Sequence, residues 1–330
     1  LVPLDGSTFA EQALPVACAI ARRAWARLRL VHVHLRLTPN PISIEGMPVI
    51  DEHLKSLRRD HERAYLAHVR DRLAAEQPRI DIDTQLLEPV SRDTCAAMVA
   101  GALAAHVAKT AVDLIVMTTH GRGSLARLWL GSVATALTQQ CPAPALFLRP
   151  HPDGVTSPPP GVGGSVQRLQ RILVPLDGSQ AAERMVYRAL TLGRSIGANY
   201  ALVRIVEPPA PFGAALFAEA TDRDPDRTNL LCAEAQADLD RIASRMRAAG
   251  ASVTTHVRVA SNPAWAIIEA AHALTADIIA MAAQTRSGWR RLLPGSITEC
   301  VVCGAHLPVL VYASQAHPAN EAMYKRIQLR

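Results

Sequence analysis

Seven residues, Leu1-Val-Pro-Leu-Asp-Gly-Ser7, recur letter for letter as Leu173-Val-Pro-Leu-Asp-Gly-Ser179. The echo continues downstream. Leu30-Val-His-Val33 is answered by Leu202-Val-Arg-Ile205, Val112-Asp-Leu-Ile-Val-Met117 by Ala276-Asp-Ile-Ile-Ala-Met281, and Gly131-Ser132 by Gly295-Ser296. A self-similar chain of this kind repeats one structural unit. Its 330 residues also match the length of two ordinary domains. The division reads as a first domain over 1–150, a Pro/Gly/Ser linker over 151–167, a second domain over 168–313 and a polar tail over 314–330. The spacing between matched segments shortens toward the C-terminal end of each repeat. Repeat 1 therefore carries extra residues in its middle, expected in the helix from Asp93 to Thr110.

Each repeat alternates apolar runs with amphipathic stretches. Leu1–Leu4 is continuously apolar, as a strand buried on both faces must be. Thr8 and Glu11 have capping-box spacing, and Leu14, Ala17, Cys18 and Ala21 form one helical stripe interrupted by Pro15. Strands are expected at Leu28–Leu35, Ile80–Leu87, Asp113–Met117 and Ala145–Leu148, with a long helix around Leu54–Ala75. This βαβαβαβαβ pattern predicts an α/β fold: two tandem, doubly wound, five-stranded parallel sheets of Rossmann-like order 3-2-1-4-5. The last strands, Ala145–Leu148 and Val309–Tyr312, are apolar sheet edges that need cover. They are expected to meet as an intramolecular pseudo-dimer. A homodimer is compatible with the same surface.

Composition narrows the class. Hydrophobic residues make up 49%, charged residues 19% and aromatic residues 4%, so the cores are aliphatic. The net charge of +6 is shared evenly by the two halves and forms no basic arm, which argues against a nucleic-acid partner. Six scattered cysteines do not form a disulfide framework and fit a cytoplasmic setting. No apolar run reaches membrane-spanning length, and no membrane association is expected. The chain opens inside an apolar run without Met, so a few residues are expected ahead of Leu1.

In an open parallel sheet, ligands bind beyond the strand ends where strand order reverses. The loops leaving strand 1 (Asp5-Gly6-Ser7) and strand 4 (Thr118-Thr-His120-Gly121, then Gly131-Ser132 opening a helix) are the places to search. Glycine lets the backbone approach a phosphate closely, and a helix start offers unpaired N–H groups with a favourable dipole. Asp5 is negative and suits ribose hydroxyls or a base rather than phosphates. Gly121-x-Gly123-x-x-Ala126 imitates a dinucleotide fingerprint, but Gly131 breaks the helix that should follow. No P-loop is present. His32 and His34 share one strand face, but no third metal ligand accompanies them. Cys300 and Cys303 lack a second pair for zinc. His61 and His68 read as solvated helix surface. No catalytic constellation stands out, so an enzyme is not expected.

These loops resemble those of the universal stress protein family. Its nucleotide-binding members carry Gly-x2-Gly-x9-Gly-Ser/Thr after strand 4. Gly121, the nine residues that follow, and Gly131-Ser132 match that motif, while Thr118 replaces its first glycine. The resemblance implies an adenine nucleotide, ATP or a relative with or without Mg, held in repeat 1 by Asp5, Val33, Thr118, His120, Gly121, Gly131 and Ser132. Val33 would meet adenine through its backbone. Repeat 2 offers Asp177, Ile205, Ala282, Thr285, Gly295 and Ser296. There Ala282 and Thr285 replace both early glycines, so that site is expected to be the weaker.

The implied role is a cytoplasmic stress-response module that binds a nucleotide and signals to a protein partner. One alternative is a ligand-free structural or interaction protein. Another is an adenylate-forming enzyme of the related α-hydrolase-like group, which Asp5-Gly6-Ser7 does not match.

Overall fold

A computed structural model of the chain describes residues 1–35, 52–89, 96–119, 131–150, 169–208, 225–283 and 296–313. Repeat 1 runs β1 (Val2–Pro3), α1 (Thr8–Glu11), α2 (Leu14–Ala24), β2 (Leu28–Val33), α3 (Glu52–Glu76), β3 (Ile82–Leu87), α4 (Ala96–Thr110), β4 (Ile115–Thr118), α5 (Ser132–Gln140) and β5 (Ala145–Leu148). Repeat 2 runs β6 (Arg171–Pro175), α6 (Gln180–Ile196), β7 (Asn199–Val206), α7 (Pro225–Ala248), β8 (Val253–Val259), α8 (Pro263–Ala273), β9 (Ile278–Ala283), α9 (Ile297–Gly304) and β10 (Val309–Ala313).

The strands within each repeat are parallel. Repeat 2 is ordered β8-β7-β6-β9-β10. In repeat 1, β3-β2-β1 form a three-stranded sheet, and β4-β5 join the strands of repeat 2 in a seven-stranded one. The ladders thus divide three and seven rather than five and five. Two causes are visible. The first is that β1 is only two residues long and Pro3 has no N–H, so the β1 and β4 segments meet through Leu1, whose O accepts the Val116 N–H at 2.9 Å and whose amino group donates to Leu114 O at 2.8 Å. The second is that β5 pairs antiparallel with β10, with Leu146 opposite Leu310. The two last strands cover each other's edges and fuse the repeats.

Side chains alternate across this sheet into two apolar layers. One joins Val2, Leu30, Val116 and Leu146 with Ile172, Leu202, Ala280 and Leu310, under α2, α3, α6 and α7. The other joins Val31, Ile115 and Phe147 with Leu173, Val203, Ile279 and Val311, under α4, α5, α8 and α9. Each layer passes through both repeats, which is the two-sided winding that the strand–helix alternation requires.

Several local expectations are corrected. The N-cap of the first helix is Ser7, not Thr8: Ser7 is extended, and its Oγ accepts the Ala10 N–H at 3.2 Å. The helical interruption expected at Pro15 falls just before it: the helix breaks between α1 and α2, and Pro15 stands in the first turn of α2, where its missing N–H costs nothing. Of the helix expected from Asp93 to Thr110, Ala96–Thr110 is helical and residues 93–95 lie outside the described residues; α4 exceeds α8, at 15 residues against 11.

Candidate functional site

Beyond the C-terminal ends of β1, β2 and β4 lies a cavity of about 620 Å³, within the usual range for small-molecule sites. Asp5, Val33, Thr118, Gly131 and Ser132 all line it. The topology explains the gathering. β1 lies between β2 and β4, and the helices leaving β1 and β4 cross to opposite faces of the sheet. The strand ends are left open between them. His120 and Gly121 lie outside the described residues.

Asp5 holds the turn after β1. Its Oδ1 accepts the Ser7 N–H at 2.9 Å and the Ser7 hydroxyl at 2.6 Å. With the Ser7 cap on α1, this ties strand end to helix start. Asp177 and Ser179 repeat the arrangement, with Asp177 Oδ1 accepting the Ser179 N–H at 2.9 Å. Sequence reasoning assigned Asp5 only to the ligand and missed this second task.

Thr118 is the last residue of β4, buried and paired with Leu148 in ordinary strand geometry. The branched side chain therefore meets no positive φ. Gly131 donates its N–H to Thr119 O at 2.9 Å, so the base of the loop between them is closed. That N–H therefore already has an acceptor within the protein. Gly131 also has φ −54°, which any residue adopts. Its contribution is the absence of a side chain at the N-cap of α5. Among the described residues no side chain caps the first turn of α5, whose Ser132, Val133 and Ala134 stand beside the cavity.

The corresponding helix of repeat 2 differs. Ser296 is itself the N-cap of α9, its Oγ accepts the Glu299 N–H at 3.1 Å, and Glu299 places a carboxylate in the first turn. Both features compete with a bound anion. The carbonyl of Ala282 accepts the Thr298 hydroxyl at 3.2 Å. Ile205 continues the ladder of β7 opposite Arg258. Thr285 and Gly295 lie outside the described residues.

The cavity has a wall that the sequence reading did not foresee. Arg58, His61, Glu62 and Tyr65, spaced along one face of α3, line it together with His32. Glu62 is buried and accepts Arg58 Nε at 3.1 Å, while its other oxygen meets His34 Nδ1 at 2.6 Å. His32 Nε2 stands 3.7 Å from the same carboxylate. Tyr65 donates its hydroxyl to Glu11 at 3.0 Å, and burial, with the Glu11 charge, pushes its phenol well above the ordinary range. The i, i+3, i+4, i+7 spacing of 58, 61, 62 and 65 was the available signal. Opposite this wall, Val33, Val99, Leu103 and Met117 form an apolar side. Among the described residues, no group of three or more His, Cys, Asp or Glu is arranged to hold a metal ion, and no helix is long and apolar enough to cross a membrane.

Comparison with known proteins agrees with the repeat. The model of the universal stress protein family matches residues 1–149 and again 168–313. A universal stress protein of Methanocaldococcus jannaschii is 30% identical over 142 residues, covering 43% of this chain and 81% of the relative. One from Thermus aquaticus is 32% identical over 153 residues, covering 45% of this chain and 96% of the relative. The crystal structure of a universal stress protein from Archaeoglobus fulgidus aligns over 94% of both chains with a TM-score of 0.63 at 16% identity, a likeness of fold.

Proposed function

The chain belongs to the universal stress protein family, and from that premise we propose that repeat 1 binds an adenine nucleotide, ATP or a close relative, as the sensing element of a cytoplasmic stress-response protein. The observation that carries this reading is the cavity at the ends of β1 and β4. It combines an apolar side for a base, the Asp5 carboxylate for ribose hydroxyls, and the uncapped start of α5 for phosphates. A cavity of about 620 Å³ has room for such a ligand. Mg would travel with the phosphates.

The protein acts by binding rather than turnover, and the bound state is passed to a protein partner. The α5 start and Gly131–Thr119 clamp support phosphate binding at the mouth of the loop. The self-capped α9, with Glu299 in its first turn, supports weaker binding in repeat 2. The test is direct. Purified protein is denatured and the released nucleotide identified, and stripped protein is titrated with AMP, ADP and ATP by calorimetry. One adenine nucleotide bound per chain is expected. No binding of any of them at about 1 mM ligand, weaker than about 4 kcal/mol, overturns the reading.

A further inference from the structure

The cavity of repeat 1 is walled from both faces of the sheet. α3 packs on one face, with Leu66 in its apolar layer, and α5 on the other, with Ala134 in the second layer. The start of α5 at Ser132 and the α3 positions Arg58 and His61 line this one space, together with Asp5 at the end of β1. Asp5 is close enough to the α3 wall to be felt there. Burial first, then the charge and hydrogen bond of Glu11, then the Asp5 charge raise the Tyr65 phenol.

Arg58 and Glu62 do not face the cavity equally. The Glu62 side chain is 8% exposed and that of Arg58 34%, so the guanidinium stands in front of the carboxylate. Glu62 accepts Arg58 Nε at 3.1 Å and meets His34 Nδ1 at 2.6 Å with its other oxygen. Held through Nε, the planar guanidinium has a fixed orientation and keeps its Nη1 and Nη2 donors for another acceptor. His61, one turn along the helix, is exposed and adds a ring nitrogen to the same wall.

Packing does not require this set. Buried Leu66, Val69 and Leu73 of α3 match Leu239, Ile242 and Met246 of α7. Arg58, His61 and Glu62 therefore match Leu231, Glu234 and Ala235. The second long helix docks on its sheet with Leu and Glu where the first carries Arg and His.

We propose that Arg58 and His61 form a second phosphate subsite, and that the ligand of repeat 1 is an adenine nucleotide phosphorylated on the 2′ or 3′ oxygen as well as on the 5′. The proposal rests on the reading of repeat 1 as a nucleotide site. With 5′-phosphates at the α5 start and the ribose at Asp5, the 2′ and 3′ oxygens occupy the ring edge that carries neither base nor 5′ chain, and that edge faces α3. A phosphate there meets the Arg58 fork in a charge-assisted, bidentate fit, which offsets its repulsion by Asp5. The remaining hydroxyl serves Asp5. Dinucleotide-binding sheets divide the same work between an acid for free hydroxyls and an arginine for a ribose phosphate.

Calorimetry on the full-length protein compares 5′-AMP, 5′-ADP, adenosine 2′,5′-bisphosphate and adenosine 3′,5′-bisphosphate. ADP and the bisphosphates carry equal numbers of phosphates and differ in where the second one sits. Wild type should bind one bisphosphate about tenfold tighter than AMP. In Arg58→Gln that preference should fall below about threefold, while the preference for ADP over AMP holds. Both readouts are ratios within one protein, so a general effect of the substitution on the cavity cancels. AMP binding with neither bisphosphate preferred overturns the proposal alone. A bisphosphate preference that survives Arg58→Gln overturns it as well, and so does an equal fall in the ADP preference. No binding of any of these nucleotides overturns the nucleotide reading and the proposal with it. Should Arg58→Gln not fold, His61→Ala, at an exposed helix position, should lower the bisphosphate preference about two- to threefold. An unchanged preference in that variant overturns the proposal.

Discussion

His34 Nδ1 and Glu62 Oε2 lie 2.6 Å apart inside repeat 1, with side chains only 3% and 8% exposed. A buried pair of this kind is costly to break from one side, because the remaining partner stays desolvated. Glu62→Leu and His34→Leu should each destabilise the protein by about 3 kcal/mol. The double variant should cost about 2 kcal/mol less than their sum, since it leaves no orphan in this pair. Urea unfolding of the four proteins measures the coupling, and strict additivity would refute it.

Gly131 leaves the α5 start without a side-chain cap. Gly131→Asp is sterically easy at φ −54° and supplies a preferred N-cap. Stability should hold or rise by up to about 1 kcal/mol. ATP affinity should fall tenfold or more, about 1.4 kcal/mol, because the carboxylate takes the first-turn amides and repels phosphate. Thermal melts and calorimetry should therefore move in opposite directions. A joint loss would mean that the substitution simply damages the fold.

Thr118 lines the cavity from an ordinary strand position. Thr118→Gly should change ATP affinity by less than tenfold, under about 1.4 kcal/mol. It should destabilise the strand by about 1 kcal/mol. Tight binding that appears only in this variant would identify the threonine as an obstruction.

Trp25 ends α2 in the left-handed region at φ 52°, and the matching residue at the end of α6 is Gly197 at φ 71°. The tryptophan is 88% exposed and gains little from packing. Trp25→Gly should therefore stabilise the protein by about 1 kcal/mol, measured as a higher urea midpoint. A lower midpoint would show that the indole has contacts worth more than the backbone strain.

The winding of the sheet was readable because apolar runs and helical stripes alternate twice in the same order, and Leu-Val-Pro-Leu-Asp-Gly-Ser marks the same strand end in both repeats. Asp5, Val33, Thr118, Gly131 and Ser132 were readable because strand ends at a reversal of order are set by topology. The α3 wall was not. Arg58, His61 and Glu62 look like solvated helix surface until the cavity faces them. The partner of the Gly131 amide was not legible either, since spacing cannot tell which acceptor an amide will meet.

The antiparallel seam between β5 and β10 joins two surfaces of one polypeptide. Had the repeats been separate molecules, that union would obey mass action and come apart on dilution. Covalent connection replaces bulk concentration with an effective one, of millimolar order for short flexible tethers. Pairing then holds at any abundance of the protein in the cell. Each half is also guaranteed a partner whose sequence differs from its own.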